Sequence, residues 1–223
     1  MKLMTESLKG MVEIPNRIDK AELAGKPRVT FECIIDEVDT LEKAETACLA
    51  LSRESMIGFD TETRPSFTRG VVHKVALLQL STHDHAYLFR LNRIGIPDCV
   101  AALLESRDIL KIGVSIKDDM AQLQSRRPMT FGGFVELQAS CERIGIEEKG
   151  LQKMYYILFG ERISKNQQLS NWEIDSLTEA QRQYAAIDAW TCLRIHDRLE
   201  ELERTGDYTI IKKDAEEGNS QKG

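Results

Sequence analysis

The sequence predicts an α/β fold, a single domain in which a mixed β-sheet is flanked by helices. Short runs of apolar and β-branched residues, typical of strands, alternate with longer segments of helical periodicity. Two strand-like runs are separated by a four-residue turn, residues 81–84, which indicates an antiparallel pair within the sheet. A chain of 223 residues with 42% hydrophobic composition can bury one sizeable core and has little room for a second.

The individual elements follow from local composition. The predicted strands cover residues 29–35, 56–60, 74–80, 85–89 and 109–114. Helical spacing of apolar residues predicts helices over 41–53, 101–105, 151–159 and 179–203, and a further helix that begins over 118–124. Thr40 and Thr178 are available as N-caps. The run at 56–60 is almost entirely apolar before its final acid, as expected for a central strand covered on both faces.

Both ends of the chain differ from the middle. Residues 1–26 lack sustained periodicity and contain Pro15 and Gly25, so we expect an N-terminal extension with at most local structure. The last stretch is polar and rich in Gly, Ser and Lys, which predicts a disordered C-terminal tail over 206–223. The domain proper is therefore predicted to span residues 27–205.

Targeting signals and cysteine pairs are not found. Charged residues interrupt the N-terminal segment before a signal peptide could form, and no stretch approaches the roughly 20 apolar residues of a membrane span. We therefore expect a soluble, cytoplasmic protein without membrane contact. The five cysteines include no CxxC pair, which favours free and mostly buried thiols over a zinc site or disulfides.

The net charge of −6 argues against a protein that wraps long duplexes, because such binding relies on many contacts from Lys and Arg to phosphate. It does not exclude a protein that holds a short strand end. Basic residues cluster locally at Arg64, Arg69 and Lys74, and again at Arg126 and Arg127. These groups fit either a nucleic-acid contact or an ordinary solvated surface.

Two carboxylates stand at the exit of the predicted central strand. Side chains alternate along a strand, so Asp60 and Glu62 project from the same face. Such a pair beside an apolar strand is costly unless a cation lies between them, and a hard divalent cation with oxygen ligands is the natural candidate. The alternative is a solvated turn in which the two acids carry no function.

Further candidate residues lie in two helical segments. Tyr184 and Asp188 are four residues apart and share one helix face, either as a functional pair or as a core aromatic beside an exposed acid. Asp118 and Asp119 stand where a strand passes into a helix. Either acid could simply cap that helix, which would leave the other for metal.

Together the three motifs reproduce a known family pattern. Over residues 30–203 the chain resembles the DEDD superfamily of 3′–5′ exonucleases, specifically its tyrosine branch, which includes ribonuclease D and the exonuclease domain of Werner-type helicases. The residues that carry the resemblance are FDTET (59–63), RG (69–70), KVALLQL (74–80), GVSI (113–116) with Asp118 and Asp119, GFVEL (133–137), LSNW (169–172), LTEAQ (177–181) and YAAIDA (184–189). The acidic overall charge is the main departure.

The resemblance implies a ribonuclease H-like fold and a two-metal mechanism with Mg²⁺ or Mn²⁺. By this resemblance Asp60 bridges both ions, Glu62 and Asp188 complete the first site, and Asp119 holds the second, with Asp118 as the fallback. Tyr184 would position the attacking water, because an ordinary phenol has a pKa of about 10 and is a poor base at neutral pH. Thr61 and Thr63 would contact the sugar of the terminal nucleotide.

The expected function is removal of nucleoside 5′-monophosphates from the 3′ end of a nucleic-acid strand, single-stranded or recessed. DNA is the favoured polymer, because residues 69–70 and 74–80 look more like the Werner-type domain. The alternatives are an RNA-processing enzyme similar to ribonuclease D and a nucleic-acid-binding module that has lost catalysis. The sequence leaves open whether a separate helicase or repair protein is a partner.

Overall fold

The structure is a computed structural model that describes residues 11–213. A six-stranded mixed sheet forms its centre, and a separate two-stranded sheet joins the two ends of the chain. The strands are β1 (Val12–Pro15), β2 (Ile34–Val38), β3 (Met56–Thr63), β4 (Val75–Ser81), β5 (His85–Arg90), β6 (Leu110–Gly113), β7 (Phe134–Glu136) and β8 (Tyr208–Ile211). The helices are a 3₁₀ turn (Lys20–Leu23), α1 (Leu41–Leu51), α2 (Leu91–Ile94), α3 (Asp98–Glu105), α4 (Ile116–Arg126), α5 (Leu137–Ile144), α6 (Leu151–Phe159) and α7 (Glu179–Thr205).

The strand order in the large sheet is β2-β5-β4-β3-β6-β7. Strand β4 runs antiparallel to its neighbours β3 and β5, and the other neighbouring pairs are parallel. The predicted antiparallel pair is therefore confirmed, as is the mixed sheet. Strand β3 lies between β4 and β6, so it occupies the central position that its apolar composition predicts.

Apolar side chains form a core on each face of the sheet. On one face Ile57 and Phe59 of β3 pack with residues of α1, α3 and α4. On the other, Ile112 of β6 packs with α5, α6 and the long helix α7. Because residues along β3 alternate between these faces, Asp60 and Glu62 fall on the side of α7.

Most predicted helices are confirmed with small changes of boundary. The Thr40 hydroxyl accepts a hydrogen bond from the Lys43 amide (3.2 Å), and Thr178 caps α7 in the same way. Elements β7, α2 and α5 were not predicted. All five cysteines are free and three of them are buried, as expected. Among the described residues, no helix has the length and apolar character needed to cross a bilayer.

The first predicted strand, at 29–35, is wrong in position. Strand β2 covers Ile34–Val38, and residues 28–31 make only an isolated bridge between Arg28 and Arg162. Val29 and Phe31 are nevertheless buried. Their apolar side chains enter the core on the α7 side without joining the sheet, so composition alone predicted a strand where the chain is only extended.

The described parts of both chain ends contradict the predicted extension and disordered tail. Val12–Pro15 pairs in parallel with Tyr208–Ile211, so each end supplies hydrogen-bonding partners for the other. Ile14 is almost completely buried. The two strands are nearly 200 residues apart in the chain, so their pairing leaves no pattern in either local segment. This is why the sequence analysis did not predict the small sheet. The rest of the predicted disordered tail, from residue 214 onward, lies outside the described residues.

Candidate functional site

The end of β3 and the middle of α7 together form an acidic cluster. Asp60, Glu62 and Asp188 each offer a carboxylate oxygen, and these oxygens lie within 4.8 Å of one another. Asp188 is buried, whereas the other two are partly buried. Two of the three predicted motifs therefore meet in space, and the solvated-turn alternative for Asp60 and Glu62 does not describe this arrangement.

The cluster depends on an unusually close approach between α7 and β3. A Cβ placed on Gly58 would lie 2.0 Å from the backbone oxygen of Ala189, a distance that no real side chain tolerates. The neighbouring Ala185 and Ala186 are completely buried. Any larger residue at position 58 would clash with the backbone of α7, so glycine is required there. The small residues of α7 let the helix pack closely on the sheet, which places Asp188 beside Asp60.

We expect Gly58→Ala to destabilise the protein by at least about 2 kcal/mol, because α7 would have to move off the sheet. Chemical denaturation with helical circular dichroism measures this free energy of unfolding. Gly150→Ala is the matched control, since a Cβ there meets nothing within 4 Å. Gly150 is the N-cap of α6, and the loss of stability in this variant should stay below about 1 kcal/mol. Equal losses in the two variants would contradict the close packing.

Crowding of the acids changes their protonation. Burial, and then the charges of Asp188 and Glu62, hold the pKa of Asp60 well above its ordinary value. Burial together with Asp188 and Asp119 raises the pKa of Glu62 to about 9. Burial raises the pKa of Asp188 to about 7, although Tyr184 and Lys165 act in the opposite direction. Without a cation, these three groups retain protons that ordinary carboxyl groups release.

Tyr184 lies beside the carboxylates on the same face of α7. Burial, and then the charges of Asp188 and Glu62, raise the pKa of its hydroxyl far above the ordinary value. Its ring packs against Trp172, with centroids 5.9 Å apart, and Trp172 is completely buried. The tyrosine hydroxyl is therefore held in place and stays protonated.

Asp119 reaches the cluster from the opposite side of β3. Side chains alternate along β3, so Thr61 points toward α4 while Asp60 and Glu62 point toward α7. The Thr61 hydroxyl donates a hydrogen bond to the Asp119 carboxylate. Burial raises the pKa of Asp119 to about 6 despite this bond. Asp118 is exposed. Asp119 is close enough to act on the pKa of Asp60 and Glu62, but its carboxylate is not among the three that lie within 4.8 Å of one another.

Thr63 also turns toward α4, where its hydroxyl donates to the Gln122 side chain (2.9 Å). Thr61 lines a cavity of about 550 Å³ together with Asp60, Glu62, Tyr184 and Asp188, whereas Thr63 is not among its lining residues. Four lysines also line this cavity, at positions 20, 149, 153 and 165. The cavity therefore joins an acidic wall to a basic one.

A protein family described as 3′-5′ exonuclease matches residues 35–203, which is most of the chain. The chain belongs to this family. The mouse bifunctional 3′-5′ exonuclease/ATP-dependent helicase WRN is 32% identical over 76% of this chain and 13% of its own length. Ribonuclease D of Haemophilus influenzae is 28% identical over 83% of this chain and 46% of its own length.

The fold agrees with this assignment. The EXO domain of Nibbler from Aedes aegypti superposes with a TM-score of 0.71 at 24% identity, and covers 79% of this chain and 93% of that one. Escherichia coli RNase D gives a TM-score of 0.69 at 24% identity over 77% of this chain and 46% of that one. The first three curated relatives are longer, and the match spans between 13% and 64% of their lengths.

Sequence reasoning missed a residue that positions the third acidic motif of this exonuclease family member. The Glu136 carboxylate accepts hydrogen bonds from the amides of Ser115 (3.1 Å) and Ile116 (3.0 Å) at the start of α4. It also accepts from Gln138 at the start of α5. Ser115 has a left-handed φ of 59°, so the chain turns sharply before Asp119. Glu136 belongs to the GFVEL segment that carries the family resemblance, but a half-buried acid that caps two helices gives no local sequence signal of that role.

None of the five predicted basic residues lines the cavity, and three of them make contacts within the fold. The Arg126 side chain donates to the backbone oxygen of Val75, and Arg127 donates to that of Ile96. Arg64 forms an ion pair with Glu173 (3.2 Å). The basic wall of the cavity comes instead from four lysines that sequence reasoning did not single out, because none of them belongs to the segments that carry the family resemblance.

Proposed function

We propose that this member of the 3′–5′ exonuclease family hydrolyses the terminal phosphodiester bond at the 3′ end of a DNA strand and releases nucleoside 5′-monophosphates. The convergence of Asp60, Glu62 and Asp188 within 4.8 Å, in a cavity that also contains Tyr184, is the observation that carries this proposal. A family fold that had lost catalysis would have no reason to keep four titratable groups in so costly an arrangement.

The donor set fits a pair of divalent cations, and we propose Mg²⁺ or Mn²⁺. Burial, and then the charges of Asp188 and Asp119, raise the pKa of Glu62 to about 9, and burial raises the pKa of Asp188 to about 7, so a bound cation would offset the cost of ionising these carboxyl groups. Oxygen-only ligands suit these hard cations. Asp60, Glu62 and Asp188 would hold one ion, and Asp119 with Asp60 would hold the other. When bound, the ions would stabilise negative charge on the attacking and leaving oxygens.

Tyr184 positions the attacking water in this proposal. Its raised pKa keeps the hydroxyl protonated at neutral pH, so it can donate or accept a hydrogen bond but does not serve as a base. Contact with the buried Trp172 ring holds the phenol in one orientation. Orientation of this kind can contribute substantially to rate.

We propose Thr61 and Thr63 as contacts to the terminal nucleotide. The Thr61 hydroxyl already donates to Asp119, so Thr61 would meet the sugar through its backbone at the cavity wall. Thr63 would have to exchange its bond to Gln122 for the substrate. Of the two, Thr61 therefore has the stronger structural support.

The polymer is the part of the proposal that most needs a direct test. Similarity to the mouse WRN protein supports DNA, and similarity to ribonuclease D supports RNA as the alternative. DNA and RNA oligonucleotides of one sequence, labelled at the 5′ end, are incubated with the protein and Mg²⁺ or Mn²⁺. We expect stepwise shortening of single-stranded and 3′-recessed DNA. Faster shortening of RNA would overturn the choice of DNA, and binding without shortening of either polymer would overturn the enzyme.

The neighbouring acids of α4 allow a paired test of the third motif. We expect Asp119→Asn to lower the rate of nucleotide release at least about a hundredfold, because the second cation would lose its carboxylate. Asp118→Asn is the matched control, since Asp118 is exposed and one position away, and we expect less than a twofold change. Single-turnover rates measure both. A larger loss in the Asp118 variant would reverse the assignment.

A further inference from the structure

The segment N-terminal to the family match forms part of the cavity wall. The matched region starts at residue 35, yet Lys20 and Leu23 of the 3₁₀ turn line the same cavity as Asp60, Glu62 and Asp188. These two residues therefore lie within the site although they are outside the family motifs.

The segment is fixed in place by the pairing of β1 with β8 and by two buried isoleucines, Ile14 and Ile18. The Ile18 amide donates to the Glu148 carboxylate (3.0 Å), and the Lys153 ammonium donates to the Ile18 carbonyl oxygen (3.0 Å). Lys153 also donates to Glu148 at 3.0 Å. The chain is thus tied to the start of α6 immediately before it reaches the cavity.

The 3₁₀ turn itself is braced on its outer side. The Asp19 amide donates to the Glu22 carboxylate (3.0 Å), and the Lys213 ammonium donates to the same group (2.7 Å). Both bonds use the carboxylate of Glu22, while Lys20 is exposed and Leu23 is half-buried at the cavity. The turn therefore presents one cation and one apolar side chain to the site.

Ion pairing distinguishes Lys20 from two other lysines of the cavity, Lys149 and Lys153. Lys149 pairs with Glu142 (3.1 Å), and Lys153 pairs with Glu148. Within residues 11–213, Lys20 and Lys165 have no carboxylate ion-pair partner, and of these two only Lys20 lies outside the region that matches the family. A nucleic-acid strand carries one negative charge per nucleotide, and the acidic wall repels it wherever a cation does not intervene. An unpaired lysine that lines the same cavity as the carboxylates is suited to bind a backbone phosphate.

We propose that Lys20 and Leu23 form a strand-binding wall in which Lys20 binds a backbone phosphate and Leu23 packs against a sugar or base of the same strand. The proposal rests on the proposed exonuclease function, since it assumes a strand whose 3′ end lies at the carboxylates. Lys20 acts on affinity for the strand and takes no part in bond cleavage.

Binding of a fluorescent 12-nucleotide DNA, followed by anisotropy at several salt concentrations, tests the wall in the Asp60→Asn protein, so that cleavage does not interfere. We expect Lys20→Ala to weaken binding about three- to tenfold. Its slope of log affinity against log salt should be shallower by about 0.7, the value for one phosphate contact on a single strand. Leu23→Ala should weaken binding without changing the slope.

Lys26→Ala is the matched control, because Lys26 belongs to the same segment but lies over the Tyr156 ring and does not line the cavity. Equal affinity and equal salt slope for Lys20→Ala and Lys26→Ala would overturn the wall. The p-nitrophenyl ester of thymidine 5′-monophosphate has no strand, so in the protein with Asp60 intact Lys20→Ala should slow hydrolysis of this ester by a smaller factor than it weakens binding of the 12-nucleotide DNA. If Lys20→Ala slowed ester hydrolysis by as large a factor as it weakened strand binding, Lys20 would act at the reacting bond, and the proposal of a strand-binding wall would be wrong.

These readouts separate the wall from the proposed function. If the protein with Asp60 intact releases no nucleotide, the exonuclease proposal fails, and the anisotropy series still decides the wall. If nucleotides are released while Lys20→Ala binds like the control, the wall fails and the exonuclease proposal stands.

Discussion

Asp60→Asn is expected to lower the rate of nucleotide release by at least about a thousandfold. Asp60 is the carboxylate proposed to contact both cations, and loss of about 4 kcal/mol of charge stabilisation in the transition state corresponds to roughly three orders of magnitude in rate. Single-turnover release from a 5′-labelled DNA strand measures the effect. Asparagine keeps the shape of the side chain, so the change tests charge and not packing.

Stability gives an independent readout for the same variant. In metal-free protein burial, and then the charges of Asp188 and Glu62, raise the pKa of Asp60, so folding at neutral pH forces this carboxyl group to take up a proton that the unfolded chain has released. Asparagine carries no titratable group and removes this cost. We therefore expect a higher Tm for metal-free Asp60→Asn, alongside the loss of activity. Asp108→Asn, at an exposed position, is the control and should change neither property. A lower Tm for Asp60→Asn would mean that the carboxylate stabilises the fold and would undermine its assignment to metal.

Local pattern predicted the elements that carry the clustered acids. The apolar run before Asp60 specifies a buried strand, and the four-residue spacing of Tyr184 and Asp188 specifies one helix face. Each rule depends only on neighbours in the chain. Family resemblance then connected motifs that periodicity alone could not bring together, and the structure places their carboxylates within 4.8 Å of one another.

The features that sequence reasoning missed depend on contacts between distant segments. Glu136 looks like any strand-end acid until its carboxylate is seen to cap α4 and α5. Gly58 needs no special backbone angle, so only the nearby Ala189 oxygen reveals why glycine is required. Lys20 reaches the cavity because β1 pairs with β8 across the molecule. Strand and helix propensities carry no information about such long-range approaches.

Metal-free protein should lose stability as pH rises from about 5 to about 9. The folded-state pKa values of Glu62 and Asp188, about 9 and about 7, lie above the ordinary values of 4.5 and 3.8. The folded protein therefore holds protons that the unfolded chain releases in this window, and unfolding becomes easier as pH rises. Each such proton contributes a slope of at most about 1.4 kcal/mol per pH unit. Thermal unfolding in a chelator at several pH values measures the trend.

Addition of Mg²⁺ or Mn²⁺ should oppose this loss, because a cation that binds only the folded protein replaces the retained protons. At about a hundred times its dissociation constant, one ion stabilises by about 2.7 kcal/mol, which for a domain of this size raises Tm by roughly 5–10 °C. The increase should be larger at pH 9 than at pH 5, where protons compete for the carboxylates. Asp60→Asn should remove most of the increase at both pH values. An increase that is independent of pH, or equal in the variant, would show that the cation binds elsewhere.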